Sequence, residues 1–278
     1  MKKIVLTGAA GRLGSYLREP LSNLAEELVS SDIVDGIGSP HDNETYIKAD
    51  LSNFDEILAL LKGAEMVVHF GAYADEGAFE TILGPNIVGA YNIWESAYQN
   101  GLRRVVYASS IHAVGMHSNN AFIGTDALHR PDTFYGLAKC FAEDLASLYW
   151  DKRGIEGVCL RILSCAQVTS VRALGTWLSY DDMIHLVERS ISAPATGFAV
   201  VYGVSNNDRV TVDNSLAGFL GYRPKDNAEQ FAKQILAEAG PLDSTTPEHT
   251  CLGGPFAAVE LGISGKANMK IIDDTIKT

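Results

Sequence analysis

The sequence predicts an α/β protein: a doubly wound, Rossmann-type parallel sheet with a small irregular substrate-side segment after it. Three observations carry this. Short apolar runs alternate with helical stretches through residues 1–162, the pattern of right-handed βαβ crossovers. A glycine-rich turn joins the first apolar run to the first helical stretch. The runs are apolar on both faces, as strands covered by helices on each side must be.

The elements follow in order. Residues 3–7 form a short apolar run ended by glycine, a buried strand. Residues 13–27 carry Leu13, Leu17, Leu21 and Leu24 at helical spacing, with Pro20 expected to kink or break the helix near Glu19. Residues 28–33 and 45–49 read as the second and third strands. A helix over residues 53–61 follows, capped by Ser52 or Asn53. Residues 66–70 are the fourth strand, closed by Gly71 and Ala72. Residues 87–100 are helical up to Gly101, and residues 103–109 form the fifth strand. A long helix over residues 133–153 stops at Gly154, and residues 158–162 form the sixth strand. Beyond residue 163 the pattern loosens to helices over 181–192 and 227–238 and a strand over 198–203. No linker divides the chain. Residues 1–278 are therefore expected to form one domain, with a dinucleotide-binding core over 1–162 and a substrate-side segment and C-terminal tail over 163–278.

Composition narrows the function. The 278 residues carry 22 Lys plus Arg against 34 Asp plus Glu, a formal charge of −12. An acidic balance without a basic block argues against a nucleic-acid partner. A hydrophobic share of 46% with 20% charged residues argues against disorder. No apolar run reaches the ~18–20 residues that span a bilayer. The apolar run after Lys2 and Lys3 is also too short for a signal peptide. Cys140, Cys159, Cys165 and Cys251 form no Cys-x-x-Cys pair, and the seven histidines do not cluster. Reduced thiols, no metal and a cytoplasmic location are expected. Trp94, Tyr98, Phe141 and Trp150 lie on helices, where they serve either a homo-oligomer face or aromatic core packing.

The turn after the first strand reads Gly8-Ala-Ala-Gly11-Arg12-Leu13-Gly14. Its first glycine permits a tight turn, the second lets a pyrophosphate approach, and the third lets helix and sheet pack closely. The following helix N-terminus presents free N–H groups and a positive dipole end to phosphate. Asp32, ending the second strand, suits the adenosine ribose hydroxyls and repels a 2′-phosphate. That favours NAD over NADP, although Asp35 competes for the role and Arg12 would suit the 2′-phosphate. Asp50 follows the third strand, where it can reach an adenine edge or simply cap a turn.

Tyr135 and Lys139 are four apart near the start of the long helix and so share a face. An adjacent ammonium favours the phenolate of a tyrosine that is otherwise a poor base. Ser109 and Ser110 end the fifth strand, and ligands of doubly wound sheets bind outside the carboxyl ends of the strands.

A glycine loop, a strand-five serine and Tyr-x-x-x-Lys in this order resemble the short-chain dehydrogenase/reductase superfamily. The loop spacing, His69-Phe-Gly71-Ala72 and Asn86 resemble its extended NAD-dependent epimerase/dehydratase branch over residues 1 to 240. A closer resemblance is to bacterial uronate dehydrogenases. It is carried by Ala108-Ser-Ser-Ile-His112, by residues 130–141, by Arg161-Ile-Leu-Ser-Cys165, and by residues 176–182 and 213–226.

The resemblance implies Tyr135 as base, Lys139 as its tuner and Ser110 as the group positioning the reacting oxygen. It further implies His112 and Ser164 in the sugar site, Arg172 on the uronate carboxylate, and Leu51, Gly71, Ala72 and Asn86 among the residues around NAD. The activity implied is NAD-dependent oxidation of a sugar at C1, uronate to aldarolactone. The chain departs from the pattern at two substrate-site positions, with Ile111 for asparagine and Ala74 for serine. Such losses can redirect specificity toward another hexose, neutral or bearing a sulfonate as in sulfoquinovose. A nucleotide-sugar epimerase or dehydratase is the nearest rival. For it the chain is short, and Ile111-His112 stands where dehydratases carry acidic residues. A non-enzymatic NAD-responsive regulator would be expected to lack the tyrosine or lysine.

Overall fold

Alternate residues of each strand feed two different cores. Ile4, Leu6, Met66, Val68, Val106, Val158 and Leu160 pack into one buried cluster, and Val5, Val67, Val105, Tyr107 and Cys159 into another. Side-chain period two makes this split unavoidable for a strand buried on both faces. The computed structural model describes residues 1–265; residues 266–278, the end of the expected tail, lie outside them.

Among the described residues nine strands run in chain order: β1 Lys3–Thr7, β2 Glu27–Asp32, β3 Glu44–Lys48, β4 Met66–His69, β5 Arg104–Ser110, β6 Ile123–Gly124, β7 Glu156–Ile162, β8 Phe198–Gly203 and β9 Val212–Asp213. Seven form one sheet in the order β3-β2-β1-β4-β5-β7-β8, and every pairing is parallel. The chain winds outward from β1 to β3, then crosses back to β4. The strand order reverses between β1 and β4, which opens a crevice at their carboxyl ends. The two-residue strands β6 and β9 pair separately, a contact that no sequence pattern announced.

Helices α1 Arg12–Leu24, α2 Phe54–Leu60, α3 Phe79–Ile82, α4 Gly89–Gln99, α5 Phe134–Arg153, α6 Ala173–Thr176 and α7 Tyr180–Ser192 follow. Leu17 and Leu21 of α1 and Met183, Leu186, Val187 and Ile191 of α7 cover one face of the sheet. Ile57 and Leu60 of α2, Ile93 and Trp94 of α4, and Leu145 and Tyr149 of α5 cover the other. Asn53 caps α2 by accepting from Glu56 N, and Thr133 caps α5 by accepting from Gly136 N at 2.9 Å. Gly154, with φ 71°, ends α5.

Three expectations are corrected. Pro20 does not break α1, which runs on to Leu24, because buried Leu17 and Leu21 anchor the helix on both sides of the proline. The helix expected from residue 87 begins at Phe79, and a π-helical turn, Leu83–Val88, contains Pro85. Proline has no N–H to donate, and a wider turn accommodates the lost bond. The helix expected over 227–238 is a 3₁₀ turn, Ala228–Phe231, followed by α8 Ala232–Glu238.

Candidate active site

The loop between β1 and α1 is tight by necessity. Gly8 has φ 73°, and a Cβ there would stand 2.5 Å from Gly71 N. A Cβ on Gly14 would stand 2.0 Å from Gly8 O. The loop therefore folds flat against the end of β4, and side chains are excluded where a phosphate would approach. Asp32 ends β2 beneath it, where its two carboxylate oxygens accept from Ala10 N at 3.0 Å and Ile33 N at 2.7 Å. These features fit a dinucleotide: a glycine cradle, a helix N-terminus and a carboxylate at the neighbouring strand end.

One cleft of about 1920 Å³ opens at this end of the sheet. Gly8, Gly11, Arg12, Leu13, Gly14, Ala72, Ala74, Ser110, His112, Tyr135, Lys139, Ser164 and Arg172 all line it. The remaining expected site residues do not. Asp50 turns its Oδ1 to Ser52 N at 2.8 Å, a turn contact. Leu51 gives its carbonyl to Asn92 and packs beside Gly71 and Gly89. Gly71 lies behind the glycine loop. Asn86 is buried and grips both backbone groups of Tyr73, at 2.8 Å to N and 2.9 Å to O, so its side chain shapes the loop after β4. The Ile111 side chain is fully buried among Val114, Leu163 and Tyr202. It packs into the core rather than facing a sugar.

Ser110 ends β5, and Tyr135 and Lys139 stand in the first two turns of α5. The Lys139 ammonium donates to Ala108 O at 2.7 Å and lies 5.2 Å from the centre of the Tyr135 ring. Burial pushes the Tyr135 phenol up to about 12, against a hydrogen bond from Ser110 that favours its ionisation. Burial also holds Lys139 down to about 7, against the nearby Glu143 carboxylate.

Arg172 forms the far wall. Its guanidinium donates to Leu252 O at 2.6 and 3.2 Å and to Ser164 Oγ at 3.1 Å. Among the described residues it pairs with no carboxylate, and burial lowers it to about 10, with Asp132 opposing the shift. A partly buried cation without a counter-charge is costly, so an anion from the cleft would complete it.

Four positions around the cleft escaped sequence reasoning. Asp132 receives His112 Nδ1 at 2.7 Å, and Phe256 stacks on that imidazole with ring centres 4.3 Å apart. Glu76 is fully buried and accepts both Tyr135 N and Gly262 N at 2.9 Å. Asp75 beside it accepts Gly265 N at 3.1 Å. The last two join the first turn of α5 to a C-terminal segment that walls the cleft. A carboxylate immediately before an N-capping threonine would have pointed weakly to a helix start, but nothing local predicts the partners.

The fold and the site together define an extended nucleotide-binding dehydrogenase scaffold. The chain belongs to the NAD dependent epimerase/dehydratase family, whose model matches residues 4–166. It is similar to the uronate dehydrogenase of Pseudomonas putida, 43% identical over 92% of this chain and 95% of that one. A glucuronic acid dehydrogenase structure from Chromohalobacter salexigens superposes with TM-score 0.90 at 40% identity, covering 93% of this chain and 97% of that one. A variant of the Agrobacterium tumefaciens uronate dehydrogenase in complex with NAD gives TM-score 0.89 at 40% identity, covering 94% and 98%.

Proposed function

We propose that this protein oxidises a sugar at C1 with NAD, and that the sugar is a pyranose uronate whose carboxylate sits on Arg172. The observation carrying this reading is that Arg172, without a carboxylate partner among the described residues, shares one cleft with Ser110, Tyr135 and Lys139. Bound NAD supplies the hydride acceptor. The glycine loop and the α1 N-terminus would hold its phosphates, Asp32 its adenosine ribose and Lys139 its second ribose. Ser110 and Tyr135 flank the anomeric hydroxyl. Tyr135 Oη takes the proton of that hydroxyl as C1 is oxidised, and a cyclic hemiacetal so oxidised is a lactone. Arg172 fixes the far end of the ring, and the charge-assisted pair sets C1 against the phenol.

The cytoplasmic location and a homo-oligomer remain part of this reading. All four thiols are free, which suits a reducing compartment. Tyr98, Phe141 and Trp150 are exposed on α4 and α5 while Trp94 is buried, so the first three suit a subunit contact.

NAD reduction with glucuronate, galacturonate, glucose and sulfoquinovose tests the proposal. Turnover of either uronate above glucose is expected. Sulfoquinovose belongs in the panel because Ala74 lines the cleft with a methyl and a sulfonate offers Arg172 the same charge. No turnover of any of the four would overturn the reading.

A further inference from the structure

The Asp132 carboxylate is buried behind His112, which lines the cleft. Its side chain has no exposed surface, and three glycines from separate segments leave the space it fills. A Cβ on Gly115 or on Gly253 would stand 1.9 Å from Asp132 Oδ2, and one on Gly136 would stand 3.0 Å from Oδ1. Both oxygens are engaged. Oδ1 accepts from Thr133 Oγ1 at 2.9 Å, and Oδ2 lies 2.7 Å from His112 Nδ1. A carboxylate only accepts hydrogen bonds, so Nδ1 carries a proton.

The imidazole is fixed on its other sides as well. Phe256 stacks on it at 4.3 Å with 26° between planes, and the Tyr135 ring meets it edge-on at 5.8 Å. His112 lines the cleft, and among the described residues nothing hydrogen-bonds its Nε2. We propose that Asp132 is a positioning residue that sets the tautomer of His112, so that Nε2 meets the substrate as a hydrogen-bond acceptor and reads a sugar hydroxyl as a donor. The inference rests on the sugar-oxidising function proposed above and deepens it. Asp132 touches no substrate. It acts by choosing which imidazole nitrogen is bare, a choice that an unassisted histidine leaves open.

The polarity can be inverted. In Asp132→Asn the amide oxygen keeps the bond from Thr133, which turns the amide N–H₂ toward His112 Nδ1. Nδ1 must then accept, Nε2 carries the hydrogen, and the sugar hydroxyl can bond the imidazole only by turning round to accept, losing the donor geometry of the wild-type site. A site that rejects a mismatched hydroxyl loses at least about tenfold in kcat/KM.

The test uses the full chain labelled with ¹⁵N-histidine, with the His112 signals assigned by their loss in His112→Gln. The nitrogen shifts of the wild type at pH 8 are expected to show the Nδ1–H tautomer at His112, and those of Asp132→Asn the Nε2–H tautomer. In parallel, Asp132→Asn is expected to raise KM for the turned-over sugar tenfold or more. KM for NAD should stay within twofold, a split that a merely loosened structure would not give. An Nε2–H tautomer in the wild type, or an unchanged sugar KM in a folded Asp132→Asn, would overturn the proposal. Should Asp132→Asn fail to fold, the wild-type tautomer alone decides. The tautomer is read without sugar, so it stands or falls separately from the uronate assignment.

Discussion

Tyr135 shows what a single side chain must overcome. Burial raises its phenol to about 12, so at neutral pH only a small fraction is ionised. Each unit of pH below that value gives a tenfold gain in phenolate when the pH rises. Oxidation is therefore expected to speed up from pH 7 to pH 9, with log kcat/KM rising at near unit slope. A flat profile would remove the phenol as base. Tyr135→Phe should cost roughly 10²–10⁴ in kcat with NAD binding kept, the range for a positioned acid–base group; retained turnover would count against the role. Arg172 poses a different problem, since a chain of charge −12 repels an anion at long range. Screening confines that repulsion to about 8 Å at physiological salt, and local contacts decide. Arg172→Ala should raise KM for a uronate ten- to hundredfold, roughly 1.5–3 kcal/mol for charged hydrogen bonds, and leave KM for glucose nearly unchanged. Equal effects on both sugars would take the carboxylate anchor away from Arg172.

Helix α5 carries Tyr135, the base proposed above, so what holds α5 matters to the proposed chemistry. Glu143, two turns beyond Tyr135, is 1% exposed and pairs with Arg161 of β7 at 2.8 Å. It also accepts from Ser109 of β5 and meets His129 Nε2 at 2.8 Å. Burial pushes its carboxyl up, but the His129 and Arg161 bonds more than reverse this and hold it below the ordinary carboxylate value. Breaking a buried pair leaves an uncompensated charge at a cost of about 3–5 kcal/mol. Glu143→Gln should lower stability by about that amount in urea unfolding, and a loss under 1 kcal/mol would show that Arg161 finds other partners. None of this network was legible in the sequence, because its members come from two strands, a helix and a loop with no shared spacing. The strands were legible, because burial on both faces demands unbroken apolar runs. Tyr135, Lys139 and Ser110 were legible too, because helix pitch and a strand end place them. Asp75, Glu76 and the C-terminal wall were not. That segment is held by carboxylates accepting backbone N–H groups, and a contact between Glu76 and Gly262 leaves no periodic trace. Ile111 shows the converse: a substitution expected to alter the sugar site points into the core instead.

At the scale of the whole molecule, pH acts through histidines that the fold treats in opposite ways. His69 ends β4 in the middle of the sheet, bonded to Thr7 Oγ1 at 2.7 Å, and burial lowers it to about 3. His129 is raised by its bond to the Glu143 carboxylate. The signs differ accordingly. His129 stabilises the fold below the ordinary histidine value, and that contribution is lost as pH rises through its raised folded value. His69 stays neutral in the fold while an unfolded histidine takes a proton below about 6.5, so stability falls as pH drops from about 6.5 toward 3. One proton bound only by the unfolded chain costs up to about 1.4 kcal/mol per pH unit, or about 2 kcal/mol between pH 7 and pH 5. The charge of −12 adds no acid lability of its own in this window, since carboxylates of ordinary affinity are still largely ionised at pH 5. Urea unfolding at pH 7 and pH 5 separates the contributions. The wild type is expected to lose about 2 kcal/mol more than His69→Gln on acidification, with the variant less stable at pH 7 because Thr7 loses its partner. Equal losses in the two proteins would mean that His69 takes its proton inside the folded sheet, and acid lability would then set in only below about pH 5, where the carboxylates of Glu44, Glu143 and Glu156, each held below its ordinary value in the fold, begin to take protons in the unfolded chain.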